Sequence, residues 1–302
     1  MKVTIAPASP KTGASAIRWL LSSDNDCIQV NALYRNLDKV PDEFRSRPNF
    51  TATQADVADA PSLDFSGTDA VLVITPPVYD GRDVAAHAEV VSINVRDAIE
   101  KAGTVKRVVL LTSVGAHLSE GVGEVKTNHI AETVFAATKV PEIVFVRCAY
   151  FMENWAMDLR TLREPQPYFY STITPLDMNI PMVAVTDIGR ALATELVKEP
   201  SRTAKPHIFE LQGPQDYSPL DVQDAFSQAL GKQVEVKSVE KEGLREFYSA
   251  IFPPSVVNDW VEMAVSFLPG GVMYENPSHD EVVHGETGLE EAIKAAVGVV
   301  IG

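Results

Sequence analysis

Residues 7–13, PASPKTG, follow the apolar run KVTIA and precede ASAIRWLLSS. A strand, a tight loop and a helix in that order place backbone N–H groups and a helix dipole where they can receive an anion. The dinucleotide form of this loop uses glycine at three positions: for the turn, for close approach to a pyrophosphate, and for helix–strand packing. Here those positions hold Pro7, Pro10 and Gly13. Proline fixes φ and has no N–H. Up to two backbone donors are therefore missing, each worth about 1.5–3 kcal/mol toward a charged group. Ser9, Lys11 and Thr12 offer side-chain donors instead, and Gly13 keeps the packing position. Two readings stand: an altered pyrophosphate loop that still works, or a loop the fold retains without a ligand.

Arg35 closes the second apolar run, in ALYRN. At this point of a dinucleotide fold an acid holds the ribose 2′-OH, whereas an arginine accommodates a 2′-phosphate. Arg35 thus points to NADP(H), with Asn36 to assist; the alternative is a solvated surface arginine. Thr75 and Pro76, in ITPP, end the run 70–74, where such folds pass the cofactor's ribose. His129 lies in VKTNHIAETVF, and its ordinary pKa of about 6.5 suits general acid catalysis. His117 follows the run 107–112 as a candidate for substrate contact. Tyr150 comes just after the run 143–147, at the carboxyl edge where open α/β sheets bind ligands. Its phenol can donate to a carbonyl, with Phe151 beside it and Asn154 to orient a substrate. The bland readings are a packed or surface histidine, and a Tyr–Phe pair that closes the core.

Parallel strands are the elements that would align these residues. Short apolar runs occur at 3–6, 28–33, 70–74, 107–112 and 143–147. Continuous rather than alternating hydrophobicity suits strands buried on both faces of a parallel sheet. Between them, Val84, Ala88, Val91, Val95, Ile99 and Ala102 recur at helical spacing, with Gly103 as the stop. A weaker pattern covers 127–138. The alternation predicts an α/β fold, a Rossmann-like doubly wound parallel sheet with a smaller C-terminal substrate-side region. We divide the chain into a dinucleotide-binding Rossmann-like domain, 1–155, and the substrate-side region, 156–302, with about 180–200 returning to the sheet. In that second part 164–175 reads as a loop or hairpin, and 183–199 as a strand and a helix capped by Asp187. Ser218, Pro219, Asp221 and Gly231 frame a well-capped helix. VEVKSV is a strand, and 243–268 is helical and aromatic. Phe247, Tyr248, Phe252, Trp260, Phe267 and Tyr274, with Met263 and Met273, either line an apolar pocket for a flat ligand or form plain core.

Composition narrows the partners. The chain has 302 residues, 45% hydrophobic and 22% charged, and a formal net charge of −15. That surface repels phosphate backbones, which argues against nucleic acid. No apolar run approaches the ~20 residues of a membrane helix, and the first strand begins at once, so we expect a cytoplasmic protein with no signal peptide and no membrane partner. Cys27 and Cys148 make neither a disulfide scaffold nor a metal site. Both flank apolar runs and are expected to be packed.

Several stretches resemble the NmrA-like family of atypical short-chain dehydrogenases. PASPKTG aligns without gaps to Gly-Ala-Thr-Gly-Lys-Thr-Gly, a loop form common in that family. ALYRNLDKV (32–40), LLTSVGAHLSEGVG (110–123), VRCAYFMENW (146–155), VAVTDIGRA (183–191) and the segment from 213 to 236 are similar too, so the resemblance spans nearly the whole chain. The degenerate first loop is similar to a narrower group, the averufin-oxidase-type oxidoreductases of fungal aromatic polyketide clusters. The resemblance implies NADP(H), and a role for Asp56 and Val57 of ADVAD at the adenine edge; an aspartate helix cap is the alternative. It implies that Ser113 polarises substrate and touches the cofactor. Standard short-chain dehydrogenases add Tyr-x-x-x-Lys on the next helix. This chain has none there: Asn128 or His129 falls near the lysine position, and Lys126 half a turn earlier.

The expectation is an NADP(H)-dependent oxidoreductase acting on a small hydrophobic or aromatic carbonyl or quinone in secondary metabolism, with Tyr150 or His129 as proton donor. The missing Tyr–Lys pair favours a non-catalytic NAD(P)-sensing regulator instead. The two prolines favour an isomerase, cyclase or dehydratase that lost its cofactor.

Overall fold

The computed structural model describes residues 1–22, 27–156, 160–199 and 206–301. β1 (Lys2–Ala6), β2 (Gln29–Tyr34), β3 (Phe50–Gln54), β4 (Ala70–Ile74), β5 (Arg107–Ser113) and β6 (Glu142–Cys148) all pair in parallel. Their spatial order is 3-2-1-4-5-6, continued beyond β6 by His207–Gln212 and then Glu281–His284 to make eight strands. The chain therefore reverses direction across the sheet between β1 and β4, and the loops leaving those two strands diverge to open a crevice.

Residue alternation shows why these runs are strands. Val3, Ile5, Leu72, Val109, Leu111, Val144 and Val146 face one hydrophobic cluster with the helices Lys11–Ser22 and Val185–Val197. Val71, Val73, Val108, Leu110, Ile143 and Phe145 face another with the helices Val84–Ala102 and Lys126–Ala136. Both faces are buried, so neither parity could be polar. The first helix pair meets backbone to backbone: a Cβ on Gly189 would collide with Ser15.

The second half departs from the expected division at residue 155. His207–Gln212 and Glu281–His284 complete the large sheet, so that sheet is not confined to 1–155. Ile180–Val183 does not join it. That strand lies between Asp216–Tyr217 and Tyr150–Phe151 in a three-stranded sheet, while its Val183 and the helix that follows pack on the large one. Tyr168–Ser171 is no hairpin, because it pairs in parallel with Glu235–Ser238. The helix Pro219–Leu230 carries the expected capping box of Ser218 and Asp221 and ends on Gly231 at φ 61°. Cys148 is buried, but Cys27 is exposed at the turn before β2, which corrects the expectation that both are packed. Among the described residues no helix is long and apolar enough to cross a membrane.

One buried ion pair ties the site-bearing strands together. The Arg147 guanidinium on β6 donates to both oxygens of Glu132, at 2.9 and 2.6 Å, and to Asp280 at 2.6 Å. Thr112 on β5 donates to the same Glu132 at 2.9 Å. Removing one partner strands a buried charge. Arg147→Met should cost about 3–5 kcal/mol in urea unfolding, and adding Glu132→Leu should restore most of it. An unchanged midpoint in the single variant would contradict this account.

Candidate functional site

The carboxyl ends of β1, β2 and β4 bear the first group of residues. Helical bonding starts with the Ala14 N–H to the Pro10 carbonyl, at 3.0 Å. The N–H groups of Lys11, Thr12 and Gly13 thus precede the helical ladder and sit at the positive end of the dipole. The Ala8 N–H is not among the donors on offer, since it bonds the Leu33 carbonyl at 2.9 Å. Gly13 does the packing job assigned to it: a Cβ there would lie 2.9 Å from the Ala8 carbonyl oxygen. Ser9 and Lys11 are exposed beside it, and Thr12 is buried.

Arg35 is exposed just past β2, with its carbonyl taking a hydrogen bond from Gln54. Asn36 instead caps the following turn, accepting the Asp38 N–H at 2.9 Å. Asp56 accepts the Ala58 N–H in a local turn, and Val57 is buried. Two further basic groups join this end. Arg82, held by Asp80, lies 3.4 Å from His87 Nδ1. Burial and the Arg82 charge hold the His87 pKa below its ordinary value, and Arg35 adds to the lowering. Thr75 and Pro76 are half-buried at the end of β4, and the Thr75 hydroxyl is buried with no partner among the described residues.

The second group lies past β5 and β6, where Ser113 is in register with Cys148. The Ser113 hydroxyl donates to the Val114 carbonyl at 2.9 Å. His129 Nδ1 is 2.9 Å from the Ala116 carbonyl. A carbonyl only accepts, so Nδ1 carries a proton and donates it there. His117 Nε2 reaches the Asn276 carbonyl at 3.0 Å, joining its loop to the helix Val272–Glu275, while its Nδ1 is buried without a partner. Tyr150 is half-buried, its ring 5.5 Å from Trp155. Burial and then the neighbouring Tyr248 push its phenol above the ordinary range, so it is a hydrogen-bond donor at neutral pH. Phe151 packs on the sheet-side core and Asn154 is half-buried. Ser113, His129 and Tyr150 share this edge, but no hydrogen bond joins any two of them among the described residues.

Asp187 does not cap its helix. The helix begins at Val185, so Asp187 falls inside the first turn, buried, and accepts the N–H groups of Glu286 and Thr287 at 3.0 and 2.8 Å. The cap is Glu153 of the YFMEN run, whose two oxygens accept the Val185 N–H at 2.9 and 3.0 Å. That assignment was out of reach from sequence because the pair is thirty-two residues apart.

Sequence reasoning also missed Glu124, in the turn Gly123–Val125 that opens the helix Lys126–Ala136. Gly123 has φ 54°, and a Cβ there would strike the backbone at Asp259 and Met263. The turn is thereby pressed onto the helix Pro254–Ser266. The aromatic set divides: Tyr248, Phe252 and Trp260 cluster with Tyr79, and Phe247 with Tyr248 and Tyr170. Phe267 packs in the other core, and Tyr274 is exposed. Burial, then repulsion from Asp259, pushes Glu124 up to about 7 from its ordinary 4.5. Between those values the native state holds a proton the unfolded chain has released, so stability falls as pH rises through the window. Glu124→Gln should gain about 3 kcal/mol relative to the wild type between pH 4.5 and 7 in pH-dependent urea unfolding. A pH-independent difference would refute the shift.

The chain belongs to the NmrA-like family, whose model matches residues 1–293. No curated protein matches the sequence significantly. Among solved structures it is similar to Citrobacter sp. triphenylmethane reductase, at 20% identity and a TM-score of 0.76, covering 99% of this chain and 100% of that one. It is also similar to an NADPH-dependent quinone oxidoreductase from Escherichia coli, at 19% identity and a TM-score of 0.71, covering 98% and 99%. A third likeness is to NmrA, a negative transcriptional regulator, in complex with NADP, at 17% identity and a TM-score of 0.75, covering 99% and 95%.

Proposed function

We propose that this protein is an NADP(H)-dependent oxidoreductase that reduces a hydrophobic, aromatic carbonyl or quinone, acting in the cytoplasm as a step of secondary metabolism. The observation that carries the cofactor is the pairing of the free N–H groups of Lys11–Gly13 with exposed Arg35 at adjacent strand ends. A dianionic 2′-phosphate suits Arg35, and a pyrophosphate suits a helix N-terminus. The residues fit the dinucleotide with fewer backbone donors than three glycines would give, since Pro7 and Pro10 have none and Ala8 uses its own. Side chains of Ser9, Lys11 and Thr12 make up the difference, with Asp56 toward the adenine and Thr75, Pro76 and Ser113 along the ribose.

The dinucleotide, when bound, supplies a hydride. This chain's residues orient the acceptor: Tyr150 donates a hydrogen bond to its oxygen, Phe151 and Asn154 flank it, and His117 and His129 order the loop after β5. The structural relatives include an enzyme named for a dye and one named for quinones, which supports a flat, apolar acceptor. The likeness of the first loop to the averufin-oxidase-type group supports a polyketide-derived one. A second reading, a dinucleotide sensor without turnover, is favoured by the lack of any hydrogen bond among Ser113, His129 and Tyr150.

Calorimetry with NADPH and NADH tests the assignment. We expect micromolar NADPH binding, weaker NADH binding, and a loss of about tenfold or more of NADPH affinity in Arg35→Ala, in line with a charge-assisted bond of about 1.5–3 kcal/mol. No binding of either nucleotide would overturn both readings and favour cofactor-independent chemistry.

A further inference from the structure

The loop after β4, the turn Gly123–Val125 and the helix Pro254–Ser266 meet around polar groups that the fold leaves unused. Glu124 is part-buried, and among the described residues its environment consists of charges and burial with no hydrogen bond to the carboxyl. The adjacent cation makes its salt bridge elsewhere: Lys126 Nζ is turned to Asp259, 2.5 Å away. Tyr79 faces Glu124, and its phenol is pushed up to about 12 by burial and then by the Glu124 charge. Trp260 Nε1 is buried without a partner among the described residues. The walls are flat and apolar, with Phe252 and Trp260 stacked at 4.3 Å and the Tyr79 ring 5.5 Å from Phe252 and 6.3 Å from Trp260.

The indole N–H is buried at a cost, and the half-buried carboxyl is left without a hydrogen bond. Beside aromatic walls they are matched to a planar molecule that carries an oxygen acceptor. We propose that the Glu124 carboxyl is the proton donor to the carbonyl oxygen of a planar aromatic substrate seated against Tyr79 and the Phe252–Trp260 stack. This assignment rests on the oxidoreductase reading and names the acid that the absent Tyr-x-x-x-Lys would have supplied.

The atoms balance simply. The carbonyl carbon accepts a hydride with its electron pair from a reduced nicotinamide dinucleotide. The C=O π pair moves onto oxygen, and oxygen takes the Glu124 proton. The carboxylate that remains regains a proton from water, which the partial exposure of Glu124 allows. A carboxyl poised at about 7 is protonated often enough to donate and acidic enough to release. The Tyr150 phenol, raised above its ordinary range, releases its proton far less readily.

The test uses the intact protein, with menadione as the planar carbonyl. Tryptophan fluorescence would follow menadione binding from about pH 5.5 to about pH 8.5, and calorimetry would follow NADPH. Lys126, Asp259 and Tyr79 are the other titratable groups that face Glu124. We expect wild-type menadione affinity to fall several-fold above pH 7, and to be retained and flat with pH in Glu124→Gln, whose amide still donates. NADPH affinity should be unchanged in that variant, while single-turnover reduction drops about 10²–10⁴-fold. Tyr79→Phe should weaken menadione without moving the pH midpoint. Reduction at the wild-type rate in Glu124→Gln, or the same pH profile as wild type, overturns the proposal, as does failure of menadione to bind the wild type. Glu124-dependent menadione binding with no NADPH binding would leave the carboxyl–oxygen contact standing and sink the oxidoreductase reading alone.

Discussion

The Arg147 guanidinium organises the ligand-facing edge of this protein. It comes one residue before Cys148, whose strand partner is Ser113, and it is paired to Glu132, one helical turn after His129. Its third contact, Asp280, leads into the outermost strand of the sheet. One planar group with five donors thus fixes the spacing of β5, β6, the helix behind them and the chain's return. A lysine would supply the charge without the fork. The buried pair gives register to elements whose apolar faces alone would tolerate sliding.

The first loop trades donors for rigidity. Two prolines remove N–H groups, and the Ala8 N–H is committed to Leu33. The same changes tie the loop to β2, so what remains is held firmly: three N–H groups at a helix end, with Gly13 against the Ala8 carbonyl. A net charge of −15 would repel a nucleotide from most of the surface. Within that field Lys11, Arg35 and Arg82 form a local set of cations from three segments along one edge, Arg82 already held by Asp80.

Much of the sheet was legible because burial on both faces writes continuous apolar runs. Ala70–Ile74 is AVLVI, and it cannot be read as anything half-exposed. The helix Pro219–Leu230 was legible down to its caps, since Ser, Pro, Asp and Gly each have a distinct local reason to be there. The strands His207–Gln212 and Glu281–His284 were not recognised. The latter is an exposed edge, EVVH, with no buried face to pattern it. The cap assigned to Asp187 was misplaced for a similar reason: a cap is a local rule, but Glu153 fulfils it from across the fold. In the site, strand-end residues such as Arg35, Thr75 and Tyr150 could be placed from sequence because strand ends share one edge. Glu124 could not, because its environment is made by Asp259 and Tyr79, far from it in the chain.

Tyr150 keeps its proton at neutral pH while Glu124 is poised between its two forms, and the difference between them matters for the chemistry. The phenol is raised mainly by burial from an already high value, so it donates a hydrogen bond and keeps the hydrogen. The carboxyl starts low and is lifted by burial and by Asp259 to the pH where it works, with Lys126 pulling it partly back. Asp259 thus acts twice: it takes the Lys126 cation and adds a like charge. Standard short-chain enzymes place a tyrosine beside a lysine, lowering a high pKa with a cation. Here the same end is reached from the other side, by raising a low pKa with an anion. A helix that has lost its Tyr-x-x-x-Lys has therefore not lost the means to hold a transferable proton at its start.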